Sequence, residues 1–128
     1  MVGIVVVSHS ADLARGVAEL AGQMAGPDVQ IEAVGGAAQG GLGTDFNAVV
    51  DAIKRADKGH GVICLGDLGS AILTIRSVLE SQQSNGHVKL VDAPLVEGAV
   101  AAAVVASMGI GLNDVVKAAE EARGASKF

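Results

Sequence analysis

The chain has 128 residues, half of them hydrophobic, with 2% aromatic side chains, 18 glycines and a formal net charge of −5. That length predicts one domain over 1–128 with one core, which must be built from Val, Ile, Leu and Ala. The acidic balance, the lack of any Lys/Arg run and the scarcity of aromatic rings for base stacking argue against a nucleic-acid surface.

No basic stretch precedes the first apolar run, Val2–Val7, so no secretory signal is expected. That run is short and β-branched and ends at Ser8-His9-Ser10, which reads as a buried strand feeding a helix. The helix carries Leu13, Val17, Leu20, Ala21 and Met24 at helical spacing, and these predict its buried face. Val29–Val34 predicts a second strand, and the Gly-rich stretch Gly35–Gly43 a loop leading to a second helix with Phe46, Val49, Val50 and Ile53 on one side; Gly43 and Thr44 are expected to open that helix. Val62–Leu65 predicts a third strand. The lone Cys64 inside it has no disulfide partner and reads as a small core residue. Asp67-Leu68-Gly69-Ser70 follows, then a third helix with Ile72, Ile75 and Leu79 inward. Val88–Val91 predicts the last strand, with Asp92 a turn and helix-start residue after it. Leu95–Met108 is nearly uncharged and predicts a helix buried on most sides. Gly98–Leu112 is the most membrane-like stretch, and it falls short of the about 20 residues a bilayer requires. The expected compartment is the cytoplasm. Leu112–Arg123 predicts a final helix.

Strands alternating with helices imply a three-layer α/β/α fold with a mainly parallel four-stranded sheet and right-handed crossovers. In such a sheet every strand-to-helix loop lies on the carboxyl edge, where ligands bind at the switch in strand order. Ser8, His9, Ser10, Gly43, Thr44, Asp67, Gly69, Ser70 and Asp92 are therefore expected on one rim. His60 and His87 each precede a strand and belong to the opposite, amino edge, as solvated loop residues.

His9 is the candidate nucleophile. Imidazole titrates near about 6.5, so its neutral form is populated at neutral pH. The start of a helix supplies positive dipole and free N–H groups that welcome phosphoryl oxygens. A carboxylate on the other ring nitrogen would fix the tautomer, and Asp67 is the candidate; a helix N-cap role for it stays open beside this one. Ser10, Ser70 and Thr44 would offer hydroxyls, and Gly43 and Gly69 backbone amides, to phosphate. No Gly-Lys-Ser/Thr follows the Gly-rich loop, no G-x-G-x-x-G occurs, and no Cys/His cluster has zinc spacing, so neither a nucleotide loop nor a metal or cofactor is expected.

The segments Val5-Val6-Val7-Ser8-His9-Ser10, Asp67-Leu68-Gly69-Ser70 and Asp92-Ala93-Pro94-Leu95-Val96-Glu97-Gly98-Ala99 resemble, in order and spacing, the phosphotransfer subunits of bacterial dihydroxyacetone kinases, a family similar to the mannose-type enzyme IIA domains of the sugar phosphotransferase system. The resemblance implies strand order 2-1-3-4 and a phosphoryl carrier. It would take phosphate from phospho-HPr on His9, at Nε2, and pass it to ADP on the kinase's nucleotide-binding subunit. It implies that Asp67 orients His9, that Ser70 and Thr44 lie beside it, and that the chain forms a homodimer in which the apolar helix over Leu95–Met108 takes part. The segment Ala71-Ile72-Leu73-Thr74-Ile75 is less polar than is usual in the family, which bears on partner contacts there; Arg15 and Arg76 could meet an acidic partner, and solvated helix faces explain them equally well. Three other readings compete: a mannose-type sugar-transport component, a receiver-like domain phosphorylated on Asp67, and a regulatory small-ligand module on the same rim. The receiver reading lacks an acidic pair after the first strand to hold Mg²⁺.

Overall fold

A computed structural model describes residues 1–83 and 86–128. Four strands, β1 (Gly3–Ser8), β2 (Ile31–Gly35), β3 (Val62–Gly66) and β4 (Val88–Leu90), alternate with α1 (Ala11–Ala25), α2 (Phe46–Ala56), α3 (Gly69–Gln82), α4 (Leu95–Ser107) and α5 (Leu112–Glu121), and a 3₁₀ turn covers Ala122–Gly124. All strand pairs are parallel and the sheet order is β2-β1-β3-β4, as expected. The β-branched runs form strands because both faces of the sheet are covered, so successive side chains are all buried rather than alternating with polar ones.

Alternation along the strands divides the core in two. Ile4, Val6, Ile63 and Leu65 face α1, α4 and α5, while Val5, Val7, Val62 and Cys64 face α2 and α3. Each fully buried Ile or Leu contributes about 1.5–3 kcal/mol relative to exposure. Burial pushes the Cys64 thiol up to about 12, so it is an inert core group, as the sequence implies.

Two helix faces differ from expectation. On α1 the buried residues are Ala14, Val17 and Ala21, whereas Leu13, Leu20 and Met24 are exposed. Close packing of α1 on the Ala face of α4 (Ala99, Ala102, Ala103, Ala106) admits only small side chains there. On α4, burial is confined to that Ala face and Gly98, and Val96 is exposed.

Because β1 leads left to β2 and β3 leads right to β4, α1 and α3 leave the sheet on opposite faces. Their starts bracket a crevice between β1 and β3. The β2 end must also come close to the start of α1: a Cβ on Gly35 would lie 2.5 Å from the Ser10 carbonyl oxygen.

Candidate functional site

The β1–β3 register builds the site. Val7 pairs with Gly66, and the Asp67 amide donates to the Val7 carbonyl (3.2 Å), so the residues just past the two strand ends, Ser8-His9 and Asp67, fall against each other. Asp67 Oδ1 lies 2.9 Å from His9 Nδ1 and accepts the Leu68 amide (2.7 Å). Asp67 Oδ2 accepts the Ser8 hydroxyl (2.7 Å) and the His9 amide (3.1 Å). Burial raises the Asp67 pKa, but the hydrogen bonds from Ser8, His9 and Leu68 outweigh it and hold the carboxyl below its usual range. An ionised Asp67 accepts only, so Nδ1 carries a ring proton, and in the neutral ring the lone pair is then on Nε2. Nε2 meets the Ser70 hydroxyl at the exposed side of the ring, whose side chain is 24% accessible against 13% for Asp67.

Asp67 does not cap α3. Leu68 occupies the N-cap position, and no side chain caps that helix. The first bond inside α3 runs from the Ile72 amide to the Leu68 carbonyl (3.1 Å), so the amides of Gly69, Ser70 and Ala71 precede it and point out of the helix start. Ser10 caps α1, its Oγ accepting the Leu13 amide (3.2 Å) and keeping its own proton to donate.

Gly43 and Thr44 do not open α2. Asp45 is the N-cap, accepting the Ala48 amide (3.3 Å), and α2 starts at Phe46. The Gly43 amide donates to the His9 carbonyl (3.0 Å), so it anchors the histidine's backbone instead of standing free for an anion. Its φ of 144° favours glycine, and a Cβ there would meet the Ala37 side chain. Thr44 Oγ1 bonds Thr74 Oγ1 (2.9 Å), which donates to the Ser70 carbonyl (3.0 Å), tying the β2–α2 loop to the turn that carries Ser70.

His9, Ser10, Asp67, Gly69 and Ser70 thus converge, with Gly43 and Thr44 as supports. Asp92 shares with Asp67, Arg76 and Glu120 the lining of a cavity of about 350 Å³. It starts no helix: Pro94 is the α4 N-cap, and Asp92 pairs with Arg123 Nη1 (2.7 Å). Arg15 pairs with Asp12 on the α1 surface. His60 and His87 lie at the amino edge, where His87 Nε2 meets Asp57 Oδ1 (2.9 Å) and His60 Nδ1 meets the Met1 amine (2.8 Å). Thr74 escaped the sequence reading, and Ser8 was placed on the rim without a role. Ser8 had a signal: a hydroxyl at the end of a strand covered on both faces must be buried and therefore bonded.

Among the described residues no group of three or more His, Cys, Asp or Glu could hold a metal ion, and no helix is long and apolar enough to cross a membrane. The arrangement is that of a solvent-facing imidazole nitrogen, held by a carboxylate through its other nitrogen and flanked by two helix starts. The family model described as the PTS system fructose IIA component matches residues 3–116, and the chain belongs to that family. Within it, the chain is similar to phosphoryl donor subunits of dihydroxyacetone kinases. It is 41% identical over 108 residues to the DhaM phosphoryl donor subunit of PEP-dependent dihydroxyacetone kinase 1 of Listeria innocua, a match covering 83% of this chain and 82% of that relative. It is 39% identical over 121 residues to DhaM of Escherichia coli, covering 91% of this chain and 26% of that longer protein. A crystal structure described as that of an unknown function protein, EF1359, superposes with a TM-score of 0.86 at 34% identity, covering 100% of this chain and 99% of that one.

Proposed function

We propose that this chain is the phosphoryl donor subunit of a phosphoenolpyruvate-dependent dihydroxyacetone kinase and that it carries the phosphoryl group on His9 Nε2. The Nε2 lone pair attacks the phosphorus of phospho-HPr, the Nε2–P bond forms as the donor's bond to phosphorus breaks, and the Nδ1 proton stays between His9 and Asp67. A β-phosphate oxygen of ADP on the kinase's nucleotide-binding subunit then attacks, and the electron pair of the Nε2–P bond returns to the ring. Ser70 yields its place at Nε2 and donates to a phosphoryl oxygen. Ser10 and the amides of Gly69 and Ser70 supply further donors, and the starts of α1 and α3 supply positive potential. Asp67 serves as the orienting carboxylate throughout.

One observation carries this reading: the His9 ring is held through Nδ1, with Nε2 turned outward to Ser70. It also weighs against Asp67 as phosphoacceptor, since both carboxylate oxygens are already engaged by donors. The donor and acceptor proteins lie with it in the cytoplasm, and residues 1–128 act as one IIA-type unit. It is a homodimer, with the apolar groove of about 590 Å³ between α4 and α5, lined by Val96, Val100 and Ala118, as the associating face. Val100→Glu is expected to halve the mass seen in sedimentation.

The test is phosphoryl transfer. The chain is incubated with enzyme I, HPr and radiolabelled phosphoenolpyruvate, then offered either an ADP-loaded nucleotide-binding subunit of dihydroxyacetone kinase or a mannose-type IIB domain. Label passing to ADP supports the kinase role. Label passing only to the IIB domain makes the chain a sugar-transport component, and no uptake at all returns it to a ligand-binding module.

A further inference from the structure

Ser8 is the one polar residue among the described ones that is completely buried. It lies at the β1 end, in register with Gly35 of β2. A buried hydroxyl is tolerated only when its hydrogen bonds are made, and Ser8 makes two in fixed senses. The Ser10 amide donates to Ser8 Oγ (3.0 Å), and an amide can only donate. The single hydroxyl proton goes to Asp67 Oδ2, 2.7 Å away, since an ionised carboxylate can only accept.

We propose that Ser8 is a positioning residue that keeps Asp67 a carboxylate and so obliges the Nδ1 proton to remain on the His9 ring through the phosphoryl-transfer cycle. This rests on the reading of His9 as phosphoryl acceptor. A carboxylate offers about four lone-pair sites, and Asp67 meets four donors: Ser8 Oγ and the His9 amide at Oδ2, and the Leu68 amide and His9 Nδ1 at Oδ1. Two of these are amides, which cannot accept, and the Ser8 hydroxyl could accept through its second lone pair only by turning its buried proton away from Oδ2, the acceptor it meets. A proton on either Asp67 oxygen would have to displace one of them. The other charged groups around Asp67 do not replace Ser8 in this role. Arg76 of α3, Asp92 of the β4–α4 loop and Glu120 of α5 line the same cavity, but none hydrogen-bonds Asp67, and among the described residues the single ion-pair partner of Asp67 is His9.

The consequence falls on the leaving group. With a proton on Nδ1, cleavage of the Nε2–P bond returns the electron pair to Nε2 and releases neutral imidazole. If Asp67 took that proton, the same cleavage would expel imidazolate, a far poorer leaving group. Ser8 therefore acts on the rate of onward transfer. It is completely buried and cannot touch the donor protein.

The experiment compares the parent chain, Ser8→Ala, Asp67→Asn and the double variant in phosphoryl transfer from phosphoenolpyruvate, through enzyme I, HPr and the chain, to an ADP-loaded nucleotide-binding subunit of dihydroxyacetone kinase. Rate is followed against HPr concentration and pH. Ser8→Ala is expected to lower kcat about tenfold with KM for phospho-HPr within twofold, to move the acid limb of the profile to higher pH, and to cost nothing further on the Asp67→Asn background. Ring-nitrogen NMR of the phosphorylated parent, which needs no variant to fold, is expected to show Nδ1 protonated. A kcat within twofold and an unmoved profile, an undiminished tenfold cost on Asp67→Asn, or an unprotonated Nδ1 in the phosphorylated parent would each overturn the role of Ser8. A parent that takes up no label overturns the phosphoryl-acceptor reading instead.

Discussion

Among the described residues there are two histidine–carboxylate pairs at the same separation, one on each edge of the sheet. His9 Nδ1 and Asp67 Oδ1 are 2.9 Å apart, and so are His87 Nε2 and Asp57 Oδ1. In both, the carboxyl titrates below its usual range. For Asp57 the causes are the His87 hydrogen bond and then the Gly59 amide; for Asp67 burial opposes the shift and four donors overcome it. The difference lies in what surrounds them. Asp57 is the C-cap of α2, at the negative end of a helix, and its side chain is 33% accessible. Asp67 lies between two helix starts, at their positive ends, and its histidine turns the other ring nitrogen outward to the Ser70 hydroxyl. The helix-start potential favours an anion at one pair and the helix-end potential disfavours it at the other, so a short His–Asp contact is not by itself a site.

The largest expected contrast comes from removing each histidine. His9→Ala should abolish phosphoryl uptake from the HPr system, while His87→Ala and His60→Ala should retain it in full; label surviving in His9→Ala would erase the distinction between the edges. Removing the carboxylates gives a smaller one. Asp67→Ala should slow phosphorylation more than tenfold, about 1.4 kcal/mol of barrier, with the fold kept. Asp57→Ala should leave the rate within twofold, measured by the same transfer. Ser70→Ala should slow transfer about threefold to tenfold, since the hydroxyl assists and does not orient the ring; a rate within experimental error of the parent would remove it from the site.

The smallest contrast is in acid stability. Both folded-state values are depressed, so each carboxylate's contribution is fully present above the unfolded value of about 3.9 and is lost as the pH falls through the folded value. Asp67→Asn should therefore flatten the fall in denaturation midpoint between neutral pH and acid more than Asp57→Asn does, because solvent screens the more exposed pair. Equal flattening would mean that burial does not separate the two edges.

Most of the fold could be read from the chain because its strands are unbroken β-branched runs between turn residues, as in Val62–Gly66, and because parallel order follows from their alternation with helices. What misled was size. Leu13, Leu20 and Met24 mark an apolar stripe, yet α1 buries Ala14, Val17 and Ala21, since the approach of α4 leaves room only for small side chains. In the site, His9 and Asp67 were legible from their places after β1 and β3. The assignment of hydrogen bonds was not, because it depends on register and on backbone donors. Gly43 gives its amide to the His9 carbonyl, Leu68 takes the cap position from Asp67, and Ser8 reaches Asp67 only because Val7 pairs with Gly66.

The most direct measurement is NMR of the His9 ring nitrogens before and after incubation with enzyme I, HPr and phosphoenolpyruvate. The expected result is a resting ring protonated at Nδ1 and bare at Nε2, followed by phosphorus coupling at Nε2. Phosphorus at Nδ1, or a His9 ring unchanged while label appears elsewhere, would contradict the account.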